Sequence, residues 1–253
     1  MGEGAIVCAI PARFASTRLP GKALRPLLGR PMIEHVVARA RAARGIDRVV
    51  VLTDDERIRD AVLGFGGECE MTPADCPSGT DRIAWAARRW RAAAVINVQG
   101  DEPMLEPAHV ERIASLLRER PEVAMATLAA LAEPADLADP AKVKVVLDRA
   151  GRALYFSRAP IPFPRDGGGA PALRHIGIYG YRRDVLLRLA ALEPTPLERT
   201  EALEQLRALE HGIPIHVLEV AHAGFGVDTE ADLARAEEIM AAAAASTVSV
   251  QSG

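Results

Sequence analysis

The chain has 253 residues, 49% of them hydrophobic and 26% charged, with a formal net charge of −3. That length suits one large domain with a sizeable core, and the mildly negative balance argues against non-specific nucleic-acid binding. No apolar run reaches the roughly 18 residues of a membrane span, and no signal-peptide pattern opens the chain. Cys8, Cys69 and Cys76 have no CxxC or zinc spacing and read as reduced thiols, so the expected setting is cytoplasmic, with no membrane partner.

Residues 5–10 form an apolar run that reads as a buried strand ending at Pro11. Pro31 sits where a helix would begin, and Ile33, Val36, Val37 and Ala40 give that helix a 3–4-spaced apolar stripe. Residues 49–52 are a short β-branched strand, followed by Thr53-Asp54-Asp55 as cap chemistry for a helix reaching Leu63. Residues 68–71 read as another short strand, and 80–90 as a helix with Ile83, Ala84 and Ala87 on one face. Residues 95–98 are a buried strand running into Gln99-Gly100-Asp101-Glu102, and 107–119 are helical. This alternation predicts an α/β fold, a mostly parallel open sheet with helices on both faces.

The pattern then changes. Residues 143–147 and 153–158, joined by Asp148-Arg149-Ala150-Gly151, read as a hairpin. The prolines and glycines of 160–171 read as a flexible surface loop. A strand at 175–181, a helix at 197–209, a strand at 213–220 and a helix capped by Asp228-Thr229 follow. No repeat or linker divides the chain. We expect one domain over 1–245, a β-rich insertion at about 142–182, and a flexible tail at 246–253.

Ligands of open α/β sheets bind beyond the carboxyl ends of the strands. Three polar clusters here follow strands: a loop with Arg13, Arg18 and Lys22, the segment 99–102, and Gly226-Val227-Asp228. Cations in the first and carboxylates in the others suit a nucleotide with Mg²⁺. Arg and Lys neutralise phosphate oxygens, and Mg²⁺ takes one or two carboxylates plus phosphate and water. The first loop has neither Walker A nor G-x-G-x-x-G spacing. Taken alone, it leaves phosphate binding and a solvated basic loop both open.

The residues become specific when taken together. Pro11-Ala12-Arg13-Phe14-Ala15-Ser16-Thr17-Arg18-Leu19-Pro20-Gly21-Lys22 resembles the nucleotide-binding signature of sugar nucleotidyltransferases. More narrowly it is similar to that of the 3-deoxy-manno-octulosonate (Kdo) cytidylyltransferases, the CMP-Kdo synthetase family. Ser78-Gly79-Thr80-Asp81-Arg82, Asn97-Val98-Gln99-Gly100-Asp101-Glu102-Pro103 and Tyr155-Phe156-Ser157-Arg158 match the same pattern. So do Arg174-His175-Ile176-Gly177-Ile178-Tyr179-Gly180-Tyr181, Leu203-Glu204-Gln205-Leu206-Arg207 and Gly226-Val227-Asp228-Thr229, all in the family's order.

The resemblance implies a Rossmann-like fold of the nucleotide-diphospho-sugar-transferase type. It implies transfer of CMP from CTP to the anomeric hydroxyl of Kdo, releasing pyrophosphate, to supply lipopolysaccharide or a related polymer. Arg13, Arg18, Lys22 and Asp101 are then the catalytic set, and Asp101 and Asp228 hold one or two Mg²⁺ ions. Pro11, Ala12, Arg13, Lys22, Thr72, Ala74, Ser78, Gly79, Arg82 and Gln99 line the nucleotide. Gln99, Arg158, His175, Tyr179, Glu204 and Gln205 receive the sugar, with an Arg suited to its carboxylate. The family also implies a homodimer joined through the insertion. Another acid sugar, an 8-amino analogue or a sialic acid, remains an alternative acceptor. A non-catalytic nucleotide sensor is the rival of another class, but Lys22, Asp101 and Asp228 are all retained.

Overall fold

A computed structural model describes residues 4–15, 19–167 and 171–251. The first strand, β1 (Ile6–Pro11), is buried at every position. Alternate side chains of a strand point to opposite faces. Ile6, Cys8 and Ile10 accordingly join one apolar cluster while Val7 and Ala9 join another. A strand covered on both faces has to be apolar throughout, which is why this run is so legible.

The remaining strands are β2 (Pro26–Leu27), β3 (Arg30–Pro31), β4 (Arg48–Thr53), β5 (Cys69–Met71), β6 (Ala94–Asn97) and β7 (Met125–Leu131). They continue with β8 (Lys144–Leu147), β9 (Ala153–Ser157), β10 (Leu173–Arg182) and β11 (Ile215–Val220). The helices are α1 (Met32–Ala42), α2 (Glu56–Gly64), α3 (Gly79–Ala87), α4 (Pro107–Glu119) and α5 (Pro134–Ala138). After them come α6 (Arg183–Ala190), α7 (Pro196–Glu201), α8 (Gln205–Glu210) and α9 (Glu230–Gln251).

The main sheet runs β11-β7-β10-β6-β1-β4-β5. β6, β1, β4 and β5 are parallel neighbours, and β11 runs parallel to β7. β10 is antiparallel to both β6 and β7. Helices α1, α2 and α4 cover one face through Ile33, Val36, Ile58, Val62, Val110 and Ile113. Helices α3, α6 and α8 cover the other through Ile83, Ala87, Leu186, Leu189 and Leu206. The expected doubly covered, mostly parallel sheet is therefore present, and β8–β9 form the expected hairpin. That hairpin is sewn onto the sheet by β8 pairing with β10.

Besides the short β2, β3 and α5, four features depart from the sequence reading. β7, unforeseen, is an alanine-rich strand, and it is set by β10 and β11 pairing on either side rather than by its own β propensity. α6 was also passed over, because it starts directly where β10 ends, with no turn residue between them. The helix expected over 197–209 is broken at Ala202, whose φ is 51°, into α7 and α8. α9 runs through Gln251, into the segment expected to be a tail. Of the 160–171 loop, residues 168–170 lie outside the described residues, as do residues 252 and 253.

Candidate active site

The carboxyl ends of β1 and β6 open onto a cavity of about 310 Å³ lined by Pro11, Ala12, Arg13, Lys22, Gln99, Asp101 and Asp228. Three segments distant in sequence thus meet where the strand-end rule places them. Gly21 has φ 65°, and its N–H donates to the Phe14 carbonyl at 3.1 Å, closing the basic loop. The Phe14 ring packs 3.1 Å from where a Gly21 Cβ would sit, and the Arg57 guanidinium lies 3.3 Å above that ring. At Gly100 a Cβ would stand 3.0 Å from the Pro11 carbonyl, so a side chain there would crowd the close approach of the β1 and β6 ends. Arg18 lies outside the described residues.

Lys22 Nζ donates to Asp101 Oδ2 at 2.6 Å and to Asp228 Oδ1 at 3.0 Å. Burial opposes the Lys22 charge, but Asp101 and then Asp228 outweigh it, and the ammonium titrates above its ordinary value. The Val227 N–H donates to the Asp101 carbonyl at 2.9 Å, tying the two acidic loops together. Among the described residues, no three His, Cys, Asp or Glu side chains come together as a metal site.

Beyond β5, Ser78 caps α3, accepting from the Asp81 N–H at 3.1 Å while Asp81 accepts from Ser78. Gly79 packs against Pro11, and Ala74 is exposed on the loop. Arg13 donates to the Cys76 carbonyl and so bridges the basic loop to this one. Arg82 is fully buried, hydrogen-bonded to Thr72 and 3.3 Å from Asp54. It sits under the loop and braces it. Glu204 accepts from Ser78 Oγ at 2.9 Å and Thr80 Oγ1 at 2.6 Å. The break at Ala202 turns the chain so that this carboxylate reaches α3.

Next to it lies a polar row. Gln99 donates to Asn97 at 3.2 Å, and Asn97 stands opposite Tyr179 across β6 and β10. The Tyr179 ring lies 5.3 Å from His175 and 5.9 Å from Tyr181. His175 Nε2 is 3.0 Å from Thr127 Oγ1, and burial pushes its pKa down to about 3, so the imidazole is neutral. Burial lifts the Tyr179 phenol well above its ordinary range. Gln205 is buried on α8.

Arg158, also expected at the sugar, is held by backbone. Its guanidinium donates to three backbone carbonyls: Glu201 at 2.7 Å, Pro140 at 2.9 Å and Ala202 at 3.2 Å.

Thr127 carries no sequence signal apart from its partners, and Thr80, Asn97, Tyr181 and Glu102 stand in matched motifs with no role expected of them. The Glu102 carboxyl is pushed up to about 8, first by burial and then by Asp101, with Arg174 partly offsetting them. It faces a second cavity of about 230 Å³ that shares Asp228 with the first.

The chain is similar to known cytidylyltransferases. A family model described as cytidylyltransferase matches residues 7–216. A 3-deoxy-manno-octulosonate cytidylyltransferase of Syntrophotalea carbinolica is 51% identical over 242 residues, covering 92% of this chain and 97% of that protein. One of Geobacter sulfurreducens is 49% identical over 245 residues, covering 92% and 98%. A solved CMP:2-keto-3-deoxy-manno-octonic acid synthetase complexed with CTP superposes with a TM-score of 0.92 at 46% identity, over 94% of this chain and 99% of that one. A glucose-1-phosphate thymidylyltransferase structure from Bacillus anthracis, 17% identical with a TM-score of 0.67, shares the fold over 93% of this chain and 95% of its own.

Proposed function

Because the chain belongs to the cytidylyltransferase family, we propose that it transfers CMP from CTP to the anomeric hydroxyl of Kdo, releasing pyrophosphate. The observation that carries this reading is the Lys22 ammonium held between Asp101 and Asp228 at the ends of β1 and β6. A triphosphate needs cations on its oxygens and carboxylates for its metal, and both converge on one cavity here.

Arg13 and Lys22 hold the triphosphate and neutralise charge on the departing pyrophosphate, with Arg18 joining them from the same loop. Attack by the sugar hydroxyl on the α-phosphorus is in line, so the protein's work is positioning and electrostatics. Ser78, Gly79, Ala74 and the Thr72 backbone border the base, while Arg82 braces that loop from beneath. Gln99, Tyr179 and Gln205 orient sugar hydroxyls, and neutral His175 fixes Tyr179 by ring contact.

Asp101 and Asp228 suit Mg²⁺. Mg²⁺ uses only one or two carboxylates and completes its shell with phosphate and water, and these two already share one cation. Bound there, Mg²⁺ supplies charge neutralisation across the phosphates. The same reading makes the enzyme a homodimer through residues 142–182, where Leu154 and Phe163 are 61% and 82% exposed. It also makes the product an activated sugar for lipopolysaccharide.

The test is pyrophosphate release from CTP and Mg²⁺ with a panel of acid sugars. Release with Kdo is expected. Release only with a sialic acid would overturn the acceptor, and no release with any acid sugar would overturn the function.

A further inference from the structure

The irregularity in β10 leaves two backbone carbonyls to satisfy. Ile176 pairs with Leu128 on β7 and Tyr179 with Thr127, so Gly177 and Ile178 fall between with no partner on that strand. Thr127 is fully buried, and its hydroxyl fills the gap, 2.8 Å from the Ile178 carbonyl and 3.1 Å from the Ile176 carbonyl. The third neighbour of the same oxygen is His175 Nε2 at 3.0 Å. Thr127 shares a face of β7 with Ala129, the residue opposite His175, and so stands diagonal to the ring.

A hydroxyl has one proton and two lone pairs. Carbonyls only accept, so the proton goes to one of them, and the shorter distance selects Ile178. Were the proton directed at Nε2 instead, two carbonyl oxygens would face the hydroxyl oxygen with no hydrogen between them, in a buried site where an unmet acceptor is costly. His175 Nε2 is therefore the donor and Thr127 Oγ1 its acceptor.

The ring is neutral. It lies 5.1 Å from the Phe156 ring and 5.3 Å from the Tyr179 ring, and burial disfavours its charge with no carboxylate opposing that effect. A neutral imidazole protonated at Nε2 carries a bare lone pair at Nδ1. Among the described residues Nδ1 has no hydrogen-bond partner, and the half-buried ring borders the second cavity.

Resting on the cytidylyltransferase reading, we propose that Thr127 is a positioning residue that locks His175 in its Nε2–H form, so that Nδ1 meets the sugar as an acceptor and selects a hydroxyl donor there. One hydroxyl thus satisfies the strand irregularity and sets the tautomer. Losing one such neutral hydrogen bond corresponds to roughly a tenfold change in binding.

The test reads the ring nitrogens directly, by long-range ¹H–¹⁵N spectra of the ¹⁵N-labelled protein at neutral pH. His175→Gln identifies the His175 signals among those of the six histidines by their disappearance. The wild type should show one neutral Nε2–H form. Thr127→Val keeps the shape and removes the hydroxyl, so the Nδ1–H form should appear, KM for Kdo should rise about tenfold, and KM for CTP should stay at the wild-type value. Thr127→Ser should restore both the ring spectrum and the sugar KM.

An Nδ1–H ring in the wild type would overturn the proposal even if Thr127→Val failed to fold. An unchanged ring spectrum in folded Thr127→Val would do the same, as would a wild-type sugar KM beside an altered spectrum. A wild-type enzyme inert with every acid sugar would instead overturn the functional reading beneath it.

Discussion

Replacing Lys22 with Met removes one charge and keeps most of the stem's volume. In the native chain Lys22 is 14% exposed and pairs with Asp101 and Asp228, which are 34% and 48% exposed. Charge-assisted hydrogen bonds contribute ~1.5–3 kcal/mol when sheltered, and exposed pairs ~0–1 kcal/mol. With both carboxylates partly solvated, the two bonds together come to about 2 kcal/mol, and sparing the Met the cost of ammonium desolvation halves the net loss to about 1 kcal/mol. For a domain of this size that is a fall of roughly 2–4 °C in Tm.

The effect on chemistry is larger. Removing one preorganised stabiliser of developing charge costs about 10²–10³ in kcat. Lys22→Met should therefore be a nearly normally folded, nearly inactive enzyme, measured by calorimetry and pyrophosphate release. The stability difference has a defined pH dependence. The folded-state pKa of Lys22 lies above its ordinary 10.5, so its contribution is fully present below that pH and fades as pH rises through the higher value. The Tm gap should be flat from neutral pH to about 10 and close beyond it. A variant within about threefold of wild-type kcat, a barrier change under 1 kcal/mol, would refute the reasoning.

Asp101→Asn should fold with a similar Tm and lose nearly all turnover, and near-normal activity over a Mg²⁺ titration would remove Asp101 from the metal site. His175 is held neutral with its pKa near 3, so stability should fall as pH drops below 6.5, by up to about 1.4 kcal/mol per unit. Urea melts of wild type and His175→Phe from pH 4 to 7 should show stability falling less steeply with acid in the variant, by the His175 contribution. Glu204→Ala strips Ser78 and Thr80 of their shared acceptor and should cost about 1–3 kcal/mol. Because Glu204 ties α3 to the α7–α8 turn, KM should rise for both CTP and the sugar, and a change confined to the sugar would make Glu204 a direct ligand instead.

The sequence shows what repeats locally and hides what depends on distant partners. β1 and its loop are legible because burial on both faces demands an unbroken apolar run, and the strand-end rule then places the ligand. That rule, and no spacing, brings Lys22 to Asp228 across 206 residues. β7 is hidden because its alanines owe their strand to neighbours on both sides. Nothing in Leu203-Glu204-Gln205 marks the break at Ala202 that aims Glu204 at Ser78. Arg158 shows the limit most clearly. Its residue type and motif suggest a ligand for an anion, and three of its five N–H groups are already taken by the backbone carbonyls of 140, 201 and 202. Carbonyl positions are a product of tertiary structure, so a motif can nominate an arginine while only the fold decides whether its fork is free.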